Sequence, residues 1–204
     1  MKSDIDMLKY EKDLLAQGYR YIAGVDEVGR GPLAGDLVVA AAIMDLDNPI
    51  EGVNDSKKLS EKKREELFPV ILSRCISYNV IHISPQVVDA VNIYNATKLA
   101  MEQAVEGLFV LPDYVLVDAM KPELSVPYQS LIKGDALSYS IACASIIAKV
   151  TRDREMVAMD TKHHGYDFAK NKGYGTATHI EALKNLGPCE IHRRSFIKNF
   201  LSDD

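Results

Sequence analysis

At 204 residues with 47% hydrophobic side chains, the chain is long enough to bury one sizeable core, and no apolar run approaches the ~20 residues a membrane-spanning helix needs. Three scattered cysteines, Cys75, Cys143 and Cys189, argue against a disulfide framework and a Cys-based zinc site, and they suit a reducing, cytoplasmic setting. The net charge of -5 is unevenly placed: residues 1–148 carry 14 Lys/Arg against 21 Asp/Glu, whereas residues 149–198 carry 10 against 6. An acidic body beside a basic C-terminal quarter suits an anionic polymer docking next to a metal-binding centre, although a solvated helical face explains the charge equally well.

Residues 4–18 read as an acidic, amphipathic helix that ends at Gly18 and lacks the apolar core of a signal peptide. Two β-rich runs follow, over 21–25 and 37–43, and the Gly-rich loop between them predicts an antiparallel hairpin. Where the first run stops stand two adjacent carboxylates, Asp26 and Glu27, then Gly29, Arg30, Gly31, Pro32 and Gly35. Neighbouring residues of a regular strand point to opposite faces. Both acids therefore serve one site only if the strand ends or distorts there, or if one contributes its backbone carbonyl. Solubilising acids beside a plain hairpin turn are the simpler alternative. Two nucleotide motifs are rejected. Gly29-x-Gly31-x-x-x-Gly35 is one residue too long for a dinucleotide fingerprint, and after Gly24 to Gly29 a P-loop's Lys-Ser/Thr is replaced by Arg30-Gly31. What remains is a flexible turn carrying an arginine, able to bring main-chain N–H groups close to a sugar or phosphate.

Residues 45–55 are a turn-rich loop, and Ser60 is the expected N-cap of a helix from Glu61 to about Arg74. The preceding Asn54-Asp55-Ser56-Lys57-Lys58 places lysines beside a helix start, where they grip phosphate or merely solvate a loop. Residues 75–83 alternate as a third strand, and Ser84-Pro85 opens a helical region running to about Gly107 with a break near Asn92. Asn92, Asn95 and Thr97 are caps or substrate contacts. Residues 114–117 are a short apolar run ending in Asp118, a position that carries catalytic groups in α/β sheets and also ordinary turns. A Pro-containing connection with room for a short strand leads to Lys133-Gly134-Asp135 and a long helix. Its Ile141, Ala144, Ser145, Ala148 and Arg152 trace one face, with small residues for close packing on the sheet. Asp135 precedes that helix, where a negative charge favours the N-terminus.

His163-His164-Gly165 closes the long helix; the adjacent pair lacks the i, i+4 spacing of a helical zinc site and reads as C-terminal capping. Residues 170–176 form a basic, Gly-flanked loop presenting Tyr174 for stacking on a base or sugar. Thr178 and Glu181 suggest a capping box for a last helix ending at Gly187-Pro188, and Arg193, Arg194 and Ser195 offer a further anionic contact. No repeats or linkers divide the chain. The expected organisation is one domain over 1–204, with an N-terminal helix over about 1–18 and a helical C-terminal substrate-binding part over about 160–204.

Asp26, Glu27, Asp118 and Asp135 each fall at a predicted strand end or helix start, and together they suit a hard, oxygen-rich site for Mg²⁺ or Mn²⁺. Two such ions can activate water and stabilise the leaving oxygen of an in-line phosphoryl displacement. In order along the chain, GVDEVGRGPLAG, NDSKKLSEKKRE, VLVDAM, KGDALSYSIACASIIAKVTRDR, NKGYGT and GPCEIHRRSF resemble the motifs of bacterial ribonuclease HII, a type 2 ribonuclease H.

The resemblance covers nearly all of residues 19–198. It implies a ribonuclease H-like α/β fold, with a mixed five-stranded sheet between helices and a small helical C-terminal part. The implied activity is metal-dependent endonucleolytic cleavage of RNA paired with or joined to DNA, including 5′ of single ribonucleotides in duplex DNA, leaving 3′-hydroxyl and 5′-phosphate ends. By motif, Asp26, Glu27, Asp118 and Asp135 match the metal-binding acids. Gly29, Arg30 and Gly31 match the loop that reads the ribose 2′-hydroxyl, and Tyr174 matches the tyrosine that stacks on the next deoxyribose. Ser56, Lys57, Asn92, Lys172 and Arg193 are further candidate substrate contacts. Asp36 stands where that family usually has Pro, adding a charge expected near the site, and Leu137 stands where a Lys is common.

The expected partners are RNA–DNA hybrid and ribonucleotide-containing duplex DNA, with a replication clamp as a candidate protein partner, a monomeric chain and no membrane. A catalytically silent hybrid-binding protein is the alternative from another class, and loss of an acid would signal it. A phosphohydrolase of small phosphoesters has no use for the basic C-terminal quarter.

Overall fold

In the computed structural model, which describes residues 6–201, the chain is built on a five-stranded sheet. The strands are β1 (Ile22–Val28), β2 (Leu37–Met44), β3 (Cys75–Ile83), β4 (Tyr114–Asp118) and β5 (Tyr128–Leu131), and their spatial order is β3-β2-β1-β4-β5. β1 pairs antiparallel with β2 and parallel with β4, so it is the strand at which the sheet changes sense. All eight residues of β2 are buried, because helices cover both faces and neither has to be polar.

On one face lies α5 (Tyr139–Asp160), flanked by α2 (Glu61–Arg74), with α1 (Lys9–Ala16) against its start. On the other lie α3 (Pro85–Val91) and α4 (Ile93–Glu106). The contact of α5 with β1 is close enough that a Cβ on Gly24 would stand 2.1 Å from the carbonyl carbon of Ser140. Gly24 and the buried Ala142, Ala144 and Ala148 therefore let the helix rest on the strand that carries the acids.

The C-terminal part holds α6 (Phe168–Asn171), α7 (Ala177–Leu186) and α8 (Arg194–Ile197). Its apolar clusters, built on Phe168, Tyr166 and Met156 and on Leu183 and Ile197, also take in Ala34 and Leu33 from the loop between β1 and β2. An isolated bridge between Ala34 and His192 completes that junction. The glycine loop is thus held between the sheet and the C-terminal helices.

The hairpin, the Ser60 cap of α2, the Ser84-Pro85 start of α3 and the break at Asn92, whose φ is 66°, all stand as expected. Four boundaries differ. The first helix begins at Lys9, and residues 4 and 5 of its expected span lie outside the described residues. β1 continues through Val28, because β2 still pairs with it there. α5 ends at Asp160, and only the His163 backbone N–H, on the Met159 carbonyl at 2.9 Å, does any of the expected capping. The N-cap of α7 is Thr176, whose hydroxyl accepts from His179 N–H at 3.3 Å, so Thr178 and Glu181 form no capping box. Thr176 takes the extended cap conformation, φ −69° and ψ 160°, two residues earlier than the capping-box pattern places it.

Candidate active site

Parallel register brings the acids together. Val25 of β1 is paired with Val117 of β4, so Asp26 and Asp118 follow side by side at the C-terminal ends of adjacent strands. Beyond Val25, β1 is held by β2 alone. Alternation would send Glu27 to the other face, but on the β4 side no strand pairing confines it, and its carboxylate turns inward. One oxygen each from Asp26, Glu27 and Asp118 then lie within 4.8 Å of one another. Both adjacent acids thus serve one place with their side chains, on a strand held from one side.

Short backbone bonds fix the set. Asp26 Oδ1 accepts from Glu27 N–H at 2.7 Å, and Asp118 Oδ1 accepts from Gly134 N–H at 2.6 Å. Ser145 of α5 faces the same cleft as Asp26, where it lowers that carboxyl, and meets Ser56 Oγ at 2.8 Å. Burial is the largest influence on all three acids and pushes each carboxyl above its usual range. The charges of Glu27 and Asp118 raise Asp26 further, while Arg30 partly offsets the shift at Glu27 and the Gly134 N–H that at Asp118.

Glu27 Oε1 meets Arg30 Nη1 at 3.4 Å, yet Glu27 Oε2 is buried with no hydrogen-bond partner. An orphaned carboxylate oxygen beside two further carboxylates is costly unless a cation completes it. The all-oxygen donor set fits a hard divalent ion. Asp135 is not one of the three: buried on the short 3₁₀ turn Gly134–Ala136, it takes Lys57 Nζ at 2.9 Å while its charge still raises Asp118. A cleft of about 260 Å³ opens over Asp26 and Glu27, with Ser56, Lys57, Lys149 and Tyr174 on its walls.

Two buried arginines shape the loop beside this cleft. Arg193 donates to the carbonyls of Gly29 (2.6 Å), Arg30 (3.0 Å) and Gly35 (2.8 Å). Arg152 donates to those of Ala34 (3.0 Å), Asp36 (2.9 Å) and Lys172 (2.9 Å), tying the glycine loop to the Tyr174 loop. Burial, and for Arg193 the like charge of Arg152, pulls both below the usual arginine range, Arg193 to about 10. Gly29 has φ 92°, and a Cβ there would meet Arg152 Nε at 2.4 Å, so its glycine serves the loop's own packing. Gly31 is exposed, with Tyr174 Cε1 at 3.9 Å the one atom that a Cβ would approach.

Several expected contacts are therefore corrected. Arg193 is fully buried, so its guanidinium presents no surface to a phosphate; it braces the loop. Lys172 folds back so that Nζ donates to the Ala169 carbonyl at 2.5 Å, because its left-handed backbone (φ 52°) caps α6. Asn92 does not line the cleft and instead caps α4 by accepting from Asn95 N–H at 3.1 Å. Asp36 lines a different cavity with His82 and Glu155, so its charge is not on the acid cleft. Ser145 and Arg152 were legible as part of a packed helix face but not as site residues; a charge within that small-residue face is the signal that points to Arg152.

A mixed sheet with a carboxylate cluster where parallel β1 and β4 end, roofed by a long helix, is the architecture of ribonuclease H-like enzymes. The crystal structure of ribonuclease H2 from Pyrococcus horikoshii superimposes with a TM-score of 0.73 at 30% identity, covering 86% of this chain and 93% of that one. The ribonuclease HII of the PCNA:RNase HII complex from Archaeoglobus fulgidus gives 0.74 at 28% identity over 90% and 98%. The ribonuclease HII family model matches residues 23–199. The ribonuclease HII of Caldicellulosiruptor bescii is 54% identical over 203 residues, 99% of this chain and 98% of the relative, and that of Listeria innocua is 56% identical over 94% and 74%. The chain belongs to the ribonuclease HII family and is a ribonuclease H endonuclease. Among the described residues no helix is long and apolar enough to cross a membrane.

Proposed function

We propose that the chain hydrolyses the RNA strand of RNA–DNA hybrids and cuts 5′ of single ribonucleotides in duplex DNA, leaving 3′-hydroxyl and 5′-phosphate ends. The observation that carries this is the trio of Asp26, buried, and Glu27 and Asp118, partly buried, with its unpartnered Glu27 Oε2, beside a cleft walled by Lys57 and Tyr174. Mg²⁺ or Mn²⁺ would be held by these three, with Asp135 beside them as the fourth acid. When bound, such ions activate a water and stabilise charge on the phosphoryl oxygens.

The chain's own residues choose and place the strand. Lys57, whose ammonium meets Asp135, and Lys149, whose ammonium meets Asp153 at 2.7 Å, line the cleft and keep further N–H groups for backbone phosphates, which carry no information about the sugar. Discrimination belongs to the Gly31 edge and Tyr174. Gly31 leaves room for the loop backbone of Gly29, Arg30 and Gly31 to approach a 2′-hydroxyl, the group that tells RNA from DNA. Tyr174, 43% exposed, offers a ring for stacking on the following deoxyribose. A replication clamp is the protein partner we propose, since the Archaeoglobus relative was solved in complex with PCNA.

Incubation with a duplex holding one ribonucleotide, with and without Mg²⁺, tests this reading. Cleavage 5′ of the ribonucleotide only with the metal is expected. Binding without cleavage in any divalent metal would favour the silent hybrid-binding alternative. Tyr174→Ala is expected to lose about tenfold more activity on the single ribonucleotide than on an all-RNA strand, because a stacking contact is worth about 1–3 kcal/mol. Equal losses would make Tyr174 structural.

A further inference from the structure

Behind the Tyr174 loop lies a buried chain of hydrogen bonds that the cleavage chemistry leaves unused. His179 Nδ1 stands 2.8 Å from the Tyr174 carbonyl, His179 Nε2 stands 3.1 Å from His192 Nε2, and His192 Nδ1 accepts from Cys189 N–H at 3.0 Å. Donor and acceptor roles are fixed from both ends. A carbonyl only accepts, so His179 carries its hydrogen on Nδ1 and leaves Nε2 bare. An amide N–H only donates, so His192 is bare at Nδ1 and carries its hydrogen on Nε2. His192 Nε2–H therefore donates to His179 Nε2, and one assignment of two neutral rings satisfies every contact. Both imidazoles are buried, and burial pulls both below the usual histidine range, His192 to about 4. An added proton would set two N–H groups against each other.

The loop at the end of this chain carries two glycines, and the glycine loop holds it at Gly173, whose carbonyl accepts from Leu33 N–H at 2.8 Å. Gly173, at φ 82°, and Gly175 flank Tyr174, and glycine restricts the backbone least of all residues. Tyr174 is held by its N–H on the Asn171 carbonyl (2.9 Å) and by its carbonyl, which takes both Thr176 N–H (2.8 Å) and the His179 ring. The rings of Tyr166 and Phe168 pack edgewise or tilted against both imidazoles and leave them little freedom to turn.

We propose that the hydrogen-bonded pair His179 and His192 is a positioning device for Tyr174, setting its ring over the cleft and so contributing to the choice of an RNA–DNA junction over continuous RNA. The inference rests on the junction-reading role proposed above for Tyr174. His179 and His192 touch neither substrate nor the acids; they act through the Tyr174 backbone.

Two measurements test it. In the wild-type protein, long-range ¹H–¹⁵N correlation spectra of the histidine rings are expected to show His179 protonated at Nδ1 and His192 at Nε2. The reverse tautomers, or free exchange between them, would overturn the proposal without any variant having to fold. The second compares kcat/KM on a single embedded ribonucleotide with that on an all-RNA strand paired with DNA. His179→Met, which keeps bulk and loses the donor, is expected to lower the junction-to-hybrid ratio by about three- to tenfold, the range expected for one hydrogen bond. The loss should fall on the junction substrate alone. His179→Gln, which can donate and accept, should restore most of it, and His179→Met in a Tyr174→Ala background should add nothing to the change in ratio. Equal losses on both substrates, or a further drop in ratio without the Tyr174 ring, would make the pair merely structural. If Tyr174→Ala leaves the ratio unchanged, the junction role itself has failed. If Tyr174→Ala lowers it and His179→Met does not, only the positioning inference has.

Discussion

Two neighbouring regions of this molecule bury charge in opposite ways. At the end of β1 and β4, Asp26, Glu27 and Asp118 face one another, and an oxygen of Glu27 has no partner. Around the glycine loop, Arg152 of α5 and Arg193 at the start of α8 are buried more deeply than those acids, and among the described residues neither has a carboxylate within ion-pair distance; their guanidinium groups donate to loop carbonyls. The carboxylates are left incomplete on a rigid sheet, which is what a site for an outside cation requires. The arginines are completed by backbone, which is what holding an irregular loop requires. A buried charge reveals its purpose by what satisfies it.

Substitutions should separate the two regions sharply. The largest expected effect is on turnover. Asp118→Asn removes charge without removing packing and should lower kcat by about 10³-fold or more, equivalent to about 4 kcal/mol, while circular dichroism and hybrid binding stay near wild type. Near wild-type cleavage in Mg²⁺ would take Asp118 out of the centre.

In the other region the expected loss is of stability. Arg193→Met keeps volume but strands the carbonyls of Gly29, Arg30 and Gly35, and urea unfolding should show a loss of about 3 kcal/mol. A loss below about 0.5 kcal/mol, the usual size for an exposed substitution, would mean that the loop holds itself.

A smaller effect distinguishes Lys170 of α6 from Lys172 just past its end. Lys170 is exposed, whereas Lys172 is turned inward onto the Ala169 carbonyl. Lys170→Ala should weaken duplex binding and flatten the slope of log K against log salt by close to one contact. Lys172→Ala should leave that slope alone and cost about 1 kcal/mol of stability. The reverse pattern would place Lys172 on the nucleic acid.

These lysines also show where the chain was legible. The apolar runs, the caps at Ser60 and Ser84 and Asp118 at the end of β4 are local signals that survive folding unchanged, whereas Asp26 and Glu27 lie inside a strand that runs on to Val28 and Asp135 stands within a 3₁₀ turn. Glu27's inward turn depends on β4 ceasing to pair after Val25, a fact of sheet order that no local pattern carries. Arg193 and Lys172 were expected at the surface because an isolated cation in a sequence implies solvent. Only the folded loop supplies the carbonyls that bury Arg193 and turn Lys172 inward. Ser145 looked like one more small residue packing α5 on the sheet, and its place beside Asp26 in the cleft depends on how tightly Gly24 lets that helix approach.

The incompleteness of the acid cluster is tested most directly by thermal unfolding with EDTA or with Mn²⁺ at several pH values. Burial and mutual repulsion raise the carboxyls of Asp26, Glu27 and Asp118 in the folded chain, so without a cation their contribution is most favourable at acid pH and is lost as pH rises through the raised values. A divalent ion competes with those protons. Mn²⁺ should therefore raise Tm more at pH 8 than at pH 5. Asp26→Asn should melt higher than wild type in EDTA at pH 8 and gain far less from the ion. A Tm that millimolar Mn²⁺ leaves unmoved at pH 8, or moves equally in wild type and Asp26→Asn, would contradict the assignment of these three acids to a metal.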